Sequence, residues 1–469
     1  MKKLVSLLLA LCMVLAMAAC GNSAPAPTED VASTEATEAP TETPTEAPEA
    51  QLPKNVSIEL WTDMGISEDV LKNAIAAFEK EYADYGYTVT LNKFAGSQRS
   101  ALISGAIETD TLPALLLSAW FTTADYAHQG LVADITDIAE TVKGDMYAST
   151  YNATLIDGKS YMVGLYQSYF GFIYNADMMK EAGLAEFVPE DPYEVTCWTV
   201  DEMENEILPA LAKYVEGTEK YPIGFFAADN QADTFMMNWL TMLGGNLWQD
   251  GKSVAGDDAN TIAALEKMIS WTNAGLTNSN VITKSGSEVG GEFKNQVSVL
   301  SSGQFTNYTA NLAAMEKGEI EKFDMRIAAI PVKKDGQDTV TMANYVYGAS
   351  VINNGKEDQM IVAREFVKWL LGNKEHLTAF NVNAIPCYAS ITEATAAANP
   401  IYAGLVKVEP YIWDFTGGVA GYVSTRSLLF PELQAAFSGE KTAAEALANY
   451  SKGANEVIQE YLDNSLILN

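Results

Sequence analysis

The hydrophobic pattern predicts strands and helices that alternate from residue 56 onward. Val56, Ile58 and Leu60 alternate with polar residues, which is the period-two pattern of a half-buried strand. A helix is predicted directly after this strand, because Ser67 can cap its N-terminus and apolar residues recur at helical spacing over residues 71–82. The same alternation continues along the chain. It predicts an α/β fold built of packed layers.

The start of the chain predicts export and membrane attachment. Two lysines precede an apolar run over residues 4–17, which is shorter than a bilayer-spanning helix. Residues 18–21 resemble a bacterial lipobox, so residues 1–19 are predicted to be a signal peptide and Cys20 the site of lipidation. Acyl chains on Cys20 would hold the protein on the outer face of the cell membrane. An ordinary signal peptide cut after Ala19 is the alternative.

A tether is predicted between the anchor and the folded body. Residues 20–53 are mostly Pro, Thr, Ala and Glu and contain no basic residue, so they cannot bury a core. The whole chain carries a formal charge of -32, from 61 acidic and 29 basic residues. This excess of negative charge excludes nucleic acid as a natural partner. It favours solubility and repulsion from an anionic envelope.

The cysteines predict no disulfide framework. Outside the leader and the lipidation site only Cys197 and Cys387 remain, and they are far apart in sequence. Two unlinked buried thiols are the favoured interpretation, and a single disulfide between them stays open. No metal site and no cofactor are predicted.

Several segments carry a resemblance to a known family. They are residues 60–62, 112–113, 126–135, 173–184, 198–202, 363–367 and 439–447. In their order across residues 54–469 they resemble the extracellular solute-binding proteins of sugar-importing ABC transporters, the maltose-binding-like group.

The resemblance implies a two-lobed periplasmic-binding-protein-like fold with a ligand cleft between the lobes. Residues 54–167 and 348–392 would form lobe 1, and residues 168–347 and 393–469 would form lobe 2. Strands would cross between the lobes, and the lobes would close on the ligand by a hinge motion. The protein would then be a monomeric carrier, not an enzyme, that captures an oligosaccharide and delivers it to the permease subunits of an ABC transporter.

A sugar site needs aromatic rings beside polar side chains, because sugars present both C–H faces and hydroxyl groups. Such pairs occur here at positions that match cleft loops of the family. The predicted ligand-binding residues are Trp61, Asp63, Ser118, Trp120, Phe121, Tyr166, Gln167, Asp229, Asn230, Phe235, Trp248, Gln304, Phe305, Tyr345, Trp413 and Arg426. Several of these rings compete with a role in the core, whereas Trp239 and Trp369 are predicted to be core.

Three alternatives remain at this point: a different ligand, a hydrolase, and a purely structural adhesin that would not change shape with any small molecule. The same fold can bind a polyamine, a peptide or a metal chelate, and the acidity of the chain suits a polyamine. A secreted glycoside hydrolase would use two carboxylates, which a chain with 61 acidic residues can supply. The sequence has no Gly-x-Ser-x-Gly, no phosphate-binding Gly-x-x-x-x-Gly-Lys and no His-Glu-x-x-His, which argues against the best-known hydrolytic motifs.

Overall fold

The computed structural model of the chain describes residues 52–334, 337–381 and 384–468. The predicted signal peptide, the lipidation site at Cys20 and nearly all of the tether lie outside these residues. No helix in the described part of the chain combines the length and apolar content that a bilayer crossing needs.

The strands alternate with helices along the chain. They are β1 (Ser57–Thr62), β2 (Thr88–Lys93), β3 (Leu115–Ala119), β4 (Leu155–Ile156), β5 (Lys159–Ser160), β6 (Val163–Asn175), β7 (Tyr221–Gly224), β8 (Trp248–Gln249), β9 (Lys252–Ser253), β10 (Ser298–Gln304), β11 (Met325–Ala328), β12 (Ile330–Lys334), β13 (Gln337–Val351), β14 (Ile385–Pro386) and β15 (Ile412–Asp414).

The helices lie between the strands along the chain. They are α1 (Glu68–Glu81), α2 (Arg99–Thr109), α3 (Trp120–His128), α4 (Thr136–Val142), α5 (Ala148–Ala153), α6 (Ala176–Glu181), α7 (Val200–Glu202), α8 (Leu208–Val215), α9 (Ala232–Met242), α10 (Ala259–Asn273), α11 (Gly286–Lys294), α12 (Phe305–Lys317), α13 (Glu357–Gly372), α14 (Lys374–Ala379), α15 (Ala389–Thr395), α16 (Ile401–Val408), α17 (Tyr422–Phe437) and α18 (Ala443–Asp463). A π-helical turn, Met203–Ile207, joins α7 to α8.

Two long strands connect two parallel regions of one sheet. The strand order is β2-β1-β3-β13-β6-β10-β7. Strands β1, β2 and β3 are parallel, as are β7 and β10. Strand β13 runs antiparallel to β3 and β6, and β6 runs antiparallel to β10. We call the part built on β1–β3 the first lobe and the part built on β7 and β10 the second lobe. This arrangement confirms the predicted α/β fold with crossing strands.

Each parallel region has its own core. In the first lobe, Phe78 of α1 packs against Phe366 and Trp369 of α13, with ring centroids 5.0 and 5.6 Å apart. In the second lobe, Trp239 is fully buried and stacks on Phe172 at 4.2 Å. The prediction that Trp239 and Trp369 are core residues is therefore confirmed.

The predicted helix cap at Ser67 is present in the structure, and two other helices begin with capping boxes. Ser67 Oγ accepts a hydrogen bond from the Val70 amide at 3.3 Å and caps α1. Capping boxes begin α7 at Thr199 and α18 at Thr442. These features depend on residues three positions apart, so a single sequence is enough to find them.

The two remaining cysteines are not bonded to each other. Cys387 is fully buried, and burial raises the pKa of its thiol. Cys197 is exposed, so the expectation that both thiols are buried is wrong for this residue. It lies in the irregular segment before α7.

Close backbone contact in the crossing strands generates a prediction. A Cβ on Gly348 of β13 would overlap the Val163 carbonyl oxygen of β6, beside an irregularity in the strand register. Gly348→Ala is expected to lower the free energy of unfolding by about 1–3 kcal/mol, measured by urea denaturation. Gly105→Ala, on an open face of α2, is the control and should be neutral or stabilising by up to about 1 kcal/mol. Equal effects of the two changes would contradict this account.

Candidate functional site

The crossing strands carry a ladder of tyrosine rings between the lobes. Tyr345 and Tyr347 are two residues apart on β13, and their ring centroids are 4.8 Å apart. Tyr166 of β6 lies directly opposite Tyr347 and stacks on it at 4.7 Å. Both Tyr345 and Tyr347 remain partly exposed. The ladder therefore offers aromatic surface at the place where the lobes meet.

Rings from both lobes surround Tyr345. Phe121, at the start of α3 in the first lobe, meets it edge-on at 5.2 Å. From the second lobe, the Phe170 ring lies 5.6 Å from the Tyr345 ring, and the Phe415 ring stacks on Tyr345 at 5.7 Å. Burial raises the pKa of Tyr345 to about 12, so its hydroxyl stays neutral and can both donate and accept a hydrogen bond.

An ion pair of the first lobe stands beside this ladder. Asp63 follows β1, and its carboxylate binds the guanidinium of Arg99, the first residue of α2. Arg99 Nη1 also donates to Ser118 Oγ, at the end of β3, at 3.4 Å. The three side chains meet because parallel β1 and β3 end at the same edge of the sheet. The Asp63 and Arg99 side chains are only 5% and 13% exposed.

A second ion pair comes from the second lobe. Arg426 of α17 binds Asp233 of α9 through Nε and Nη2, each 2.9 Å from a carboxylate oxygen. The Tyr422 hydroxyl donates to Asp233 Oδ2 at 2.6 Å. The guanidinium lies 5.2 Å from the centroid of the Phe121 ring, within cation–π range. This pair therefore connects the second lobe to the aromatic cluster.

Burial opposes the charge of both partners in this pair. It raises the pKa of Asp233, and the neighbouring Arg426 works in the opposite direction. Burial alone would lower the pKa of Arg426, but the Asp233 carboxylate, with Tyr422 and Tyr345, raises it above its usual value. Arg426 therefore keeps its charge in the cleft.

Two cavities of about 350 Å³ each lie near these rings, one beside Tyr166 of the ladder and the other beside Phe121, which contacts Tyr345. One is lined by Phe121 and Tyr422, together with residues of α5 and β15. The other is lined by Tyr166, residues 65–67 and Thr306 of α12. Each cavity takes residues from both lobes. The space available beside the rings is that of a typical small-molecule site.

A family profile agrees with this geometry. The profile of the family described as bacterial extracellular solute-binding protein matches residues 65–376, more than half of the chain. The chain belongs to this family. Proteins of this family bind solutes, so the chain is a solute carrier rather than an enzyme. No curated protein matches the sequence.

Solved structures of solute-binding proteins share the fold at low sequence identity. Maltose-bound MalE3 of T. maritima is 16% identical with a TM-score of 0.66, over 85% of this chain and 98% of that one. The sugar-binding protein MalE of Xanthomonas citri is 14% identical with a TM-score of 0.68, over 86% and 98%. The GacH receptor of Streptomyces glaucescens is 16% identical with a TM-score of 0.68, over 88% and 100%. At these identities the similarity establishes the two-lobed fold.

Several residues predicted from the sequence come together in the cleft of this solute-binding protein. They are Asp63, Ser118, Phe121, Tyr166, Tyr345 and Arg426. Phe235 joins them indirectly, because its partly exposed ring meets Phe170 edge-on at 5.4 Å. Binding of a ligand by these residues stays a prediction.

Other predicted residues are packed inside the lobes. Those with buried side chains are Trp61, Trp120, Gln167, Trp248 and Phe305. Three of them have fixed polar partners: Trp61 Nε1 donates to Glu59, Trp248 Nε1 to the Phe415 carbonyl, and Gln167 bonds Thr150 and Tyr169. Phe305 packs against Tyr308 and Tyr402 in a third, smaller core. In this conformation these five side chains offer a ligand little surface, although Trp120 lines the same cavity as Phe121.

The remaining predicted residues lie in turns and at strand or helix ends. Asp229 accepts hydrogen bonds from the Gln231 and Gly286 amides, so it shapes a loop. The Asn230 carbonyl accepts one from Arg426 at 3.3 Å, which supports the second ion pair. Gln304 precedes α12 as its N-cap residue. Trp413 lies on β15 and is partly exposed.

The sequence interpretation missed six residues of the site: Arg99, Phe170, Asp233, Tyr347, Phe415 and Tyr422. Tyr347 carried a usable signal, because it stands two residues after Tyr345 and must share its face of a strand. Arg99 carried none, since its partner Asp63 is 36 positions away. Asp233 likewise meets Arg426 from 193 positions away.

Helix α3 is held by the second lobe as well as the first. Asp125 Oδ2 accepts a hydrogen bond from the Val423 amide in the first turn of α17, at 3.2 Å. One turn later, the His128 carbonyl accepts one from the Leu466 amide, and His128 Nδ1 lies 3.0 Å from Ser465 Oγ. Burial raises the pKa of Asp125 to about 7. This carboxyl group therefore titrates near neutral pH.

The raised pKa of Asp125 predicts a pH-dependent stability. The folded protein keeps the proton up to about pH 7, whereas the unfolded chain loses it near its usual value of 3.8. The contribution of Asp125 to the free energy of unfolding therefore falls as the pH rises from about 4 through 7. Relative to Asp125→Asn, the native protein should lose stability between pH 5 and pH 8, by roughly 1–4 kcal/mol. Urea unfolding of both proteins at the two pH values tests this, and a constant difference would contradict it.

Proposed function

We propose that the cleft binds a carbohydrate, with an oligosaccharide as the favoured ligand, and that the lobes close on it about β6 and β13. The observation that carries this proposal is the partly exposed tyrosine ladder beside ion pairs from both lobes. The C–H face of a sugar ring packs on an aromatic ring, and its hydroxyl groups hydrogen-bond to carboxylate, guanidinium and phenol groups. Both kinds of surface are supplied within one gap.

Closure would make these contacts stronger. Hydrogen bonds become stronger when water is excluded, and the burial of aromatic surface is favourable in free energy. Tyr345 already contacts rings from each lobe, so a small rotation changes the space around it without breaking either core. Hinge motion of this kind is common in two-domain binding proteins.

The neighbours of the fold support the choice of ligand. The T. maritima protein is described as bound to maltose, and the S. glaucescens receptor is described in complex with acarbose. Both are saccharides or saccharide-like. This chain shares their fold and, in our proposal, their class of ligand.

The cellular arrangement is also part of the proposal. Residues 1–19 act as a signal peptide, lipid on Cys20 anchors the protein at the outer face of the membrane, and residues 20–53 form the tether. Lobe 1 comprises residues 54–167 and 348–392, and lobe 2 the rest of the body. The monomer passes its ligand to the permease subunits of an ABC transporter.

Replacing the central ring should weaken ligand binding. Tyr345→Leu keeps apolar volume against Phe415 but removes the aromatic face and the hydroxyl group. The dissociation constant for maltose, laminaribiose or maltotriose, whichever binds, should rise about tenfold or more by isothermal titration. Tyr411→Leu is the matched control, because this ring is 53% exposed and makes no contact with the ladder rings. An unchanged constant for Tyr345→Leu, in a folded protein, counts against the site.

Membrane attachment is tested separately. Cys20→Ser removes the thiol that would be acylated, so the mature protein should move from the membrane fraction to the medium. Cys197→Ser is the control, because this thiol lies on the folded body. Fractionation followed by immunoblotting measures both, and membrane retention of Cys20→Ser would refute lipidation.

A further inference from the structure

We propose that the two Asp–Arg pairs make the cleft specific for uncharged ligands. This inference rests on the proposed function, because it assumes that the ligand binds between Asp63–Arg99 and Asp233–Arg426. It goes further by predicting which carbohydrates and which other small molecules the cleft rejects.

Each pair is closed on itself. The Asp63 and Arg99 side chains bind each other while almost buried. Arg426 and Asp233 make two contacts of 2.9 Å, with the Asp233 side chain 2% exposed. Each guanidinium therefore already has a carboxylate, and each carboxylate already has a guanidinium. Neither pair presents a net charge to a ligand.

A charged ligand gains little electrostatic energy from such an ion pair. At 4 Å and an effective dielectric constant near 20, two unit charges interact by about 4 kcal/mol. A ligand carboxylate near Arg99 feels an attraction of this size and a repulsion of similar size from Asp63. The ligand still loses its hydration, which costs several kcal/mol per ion in a protein interior. The same reasoning with reversed signs applies to an ammonium group.

A hydroxyl group suits such an ion pair better. Among the described residues, Asp63 Oδ1 and Arg99 Nε are buried atoms without a hydrogen-bond partner. One is an acceptor and the other a donor, and a sugar hydroxyl can serve both. Burying such atoms unpaired costs about 1–3 kcal/mol each. A hydroxyl group of a neutral polyol that reached these two atoms on closure would satisfy both without bringing a charge into the cleft.

The cleft favours a different ligand from the one that the overall charge of the protein suggests. The formal charge of -32 attracts cations at long range and would suit a polyamine. The cleft opposes that choice locally, because arginines neutralise Asp63 and Asp233. Asp414, which lines one cavity, has no basic partner within the part of the chain that the structure describes, but burial raises its pKa and so disfavours its charge. The pairs are also weak devices for stability, since a buried ion pair is often no better than an apolar replacement. Their place beside exposed tyrosines indicates a role in ligand selection.

The first experiment compares matched probes by isothermal titration. The neutral probes are maltose, laminaribiose and cellobiose; the charged probes are cellobiouronic acid, fully deacetylated chitobiose and spermidine. The tightest neutral disaccharide should bind at least tenfold more tightly than any charged probe. A uronic acid or amino sugar that binds more tightly than every neutral disaccharide overturns the inference but leaves the carbohydrate function intact. Binding of spermidine alone, or of no probe, contradicts the carbohydrate function and the inference with it.

The second experiment breaks one pair. Asp63→Asn leaves Arg99 without its carboxylate, so the affinity for cellobiouronic acid relative to the best neutral disaccharide should rise at least tenfold. Glu108→Gln is the matched control: it removes one negative charge from the exposed far end of α2, the helix that Arg99 begins, and should leave the ratio unchanged.

A variant of the opposite sign guards against misfolding of Asp63→Asn. Arg99→Gln leaves Asp63 unpaired, so the relative affinity for deacetylated chitobiose should rise instead. Circular dichroism and melting temperature establish that each variant is folded. Unchanged ratios in whichever variant is folded would overturn the role of the pairs.

Discussion

The structure depends on the antiparallel pairing of β6 with β13, two long strands that belong to both lobes. The first half of β6 pairs with β13, and its second half also pairs with β10 of the second lobe. Backbone hydrogen bonds fix the register at which Tyr166 stands opposite Tyr347. The hinge and the floor of the cleft are therefore the same element, so a movement of the lobes cannot avoid changing the surroundings of these rings.

Polar groups in the cleft are arranged by the ends of strands and helices. Asp63 follows β1 and Ser118 lies near the end of the neighbouring parallel strand β3, so both stand at one edge of the sheet. Arg99 comes from α2, the helix that precedes β3. On the other side, Arg426 reaches across from α17 to Asp233 of α9. Each lobe thus forms its ion pair entirely from its own residues. These two pairs are therefore polar and yet electrically balanced.

Local features of the fold were predictable from the sequence, and the composition of the site was predictable only in part. The cap at Ser67 and the capping box at Thr199 depend on near neighbours, so the pattern alone reveals them. Whether a ring lines the cleft or a core depends on packing by distant segments. Tyr345 is partly exposed, whereas Phe305, equally aromatic and predicted on the same grounds, is buried against Tyr402. Arg99 escaped prediction because nothing near it in sequence indicates its partner.

The central claim is that the lobes close about β6 and β13 around a ligand held against the tyrosine ladder. Small-angle X-ray scattering of residues 52–469, with and without a saturating disaccharide that binds, tests it most directly. We expect the radius of gyration to decrease on binding, and the decrease to be lost in a variant that no longer binds the disaccharide. A ligand that binds at the ladder while the scattering curve stays unchanged would contradict the claim.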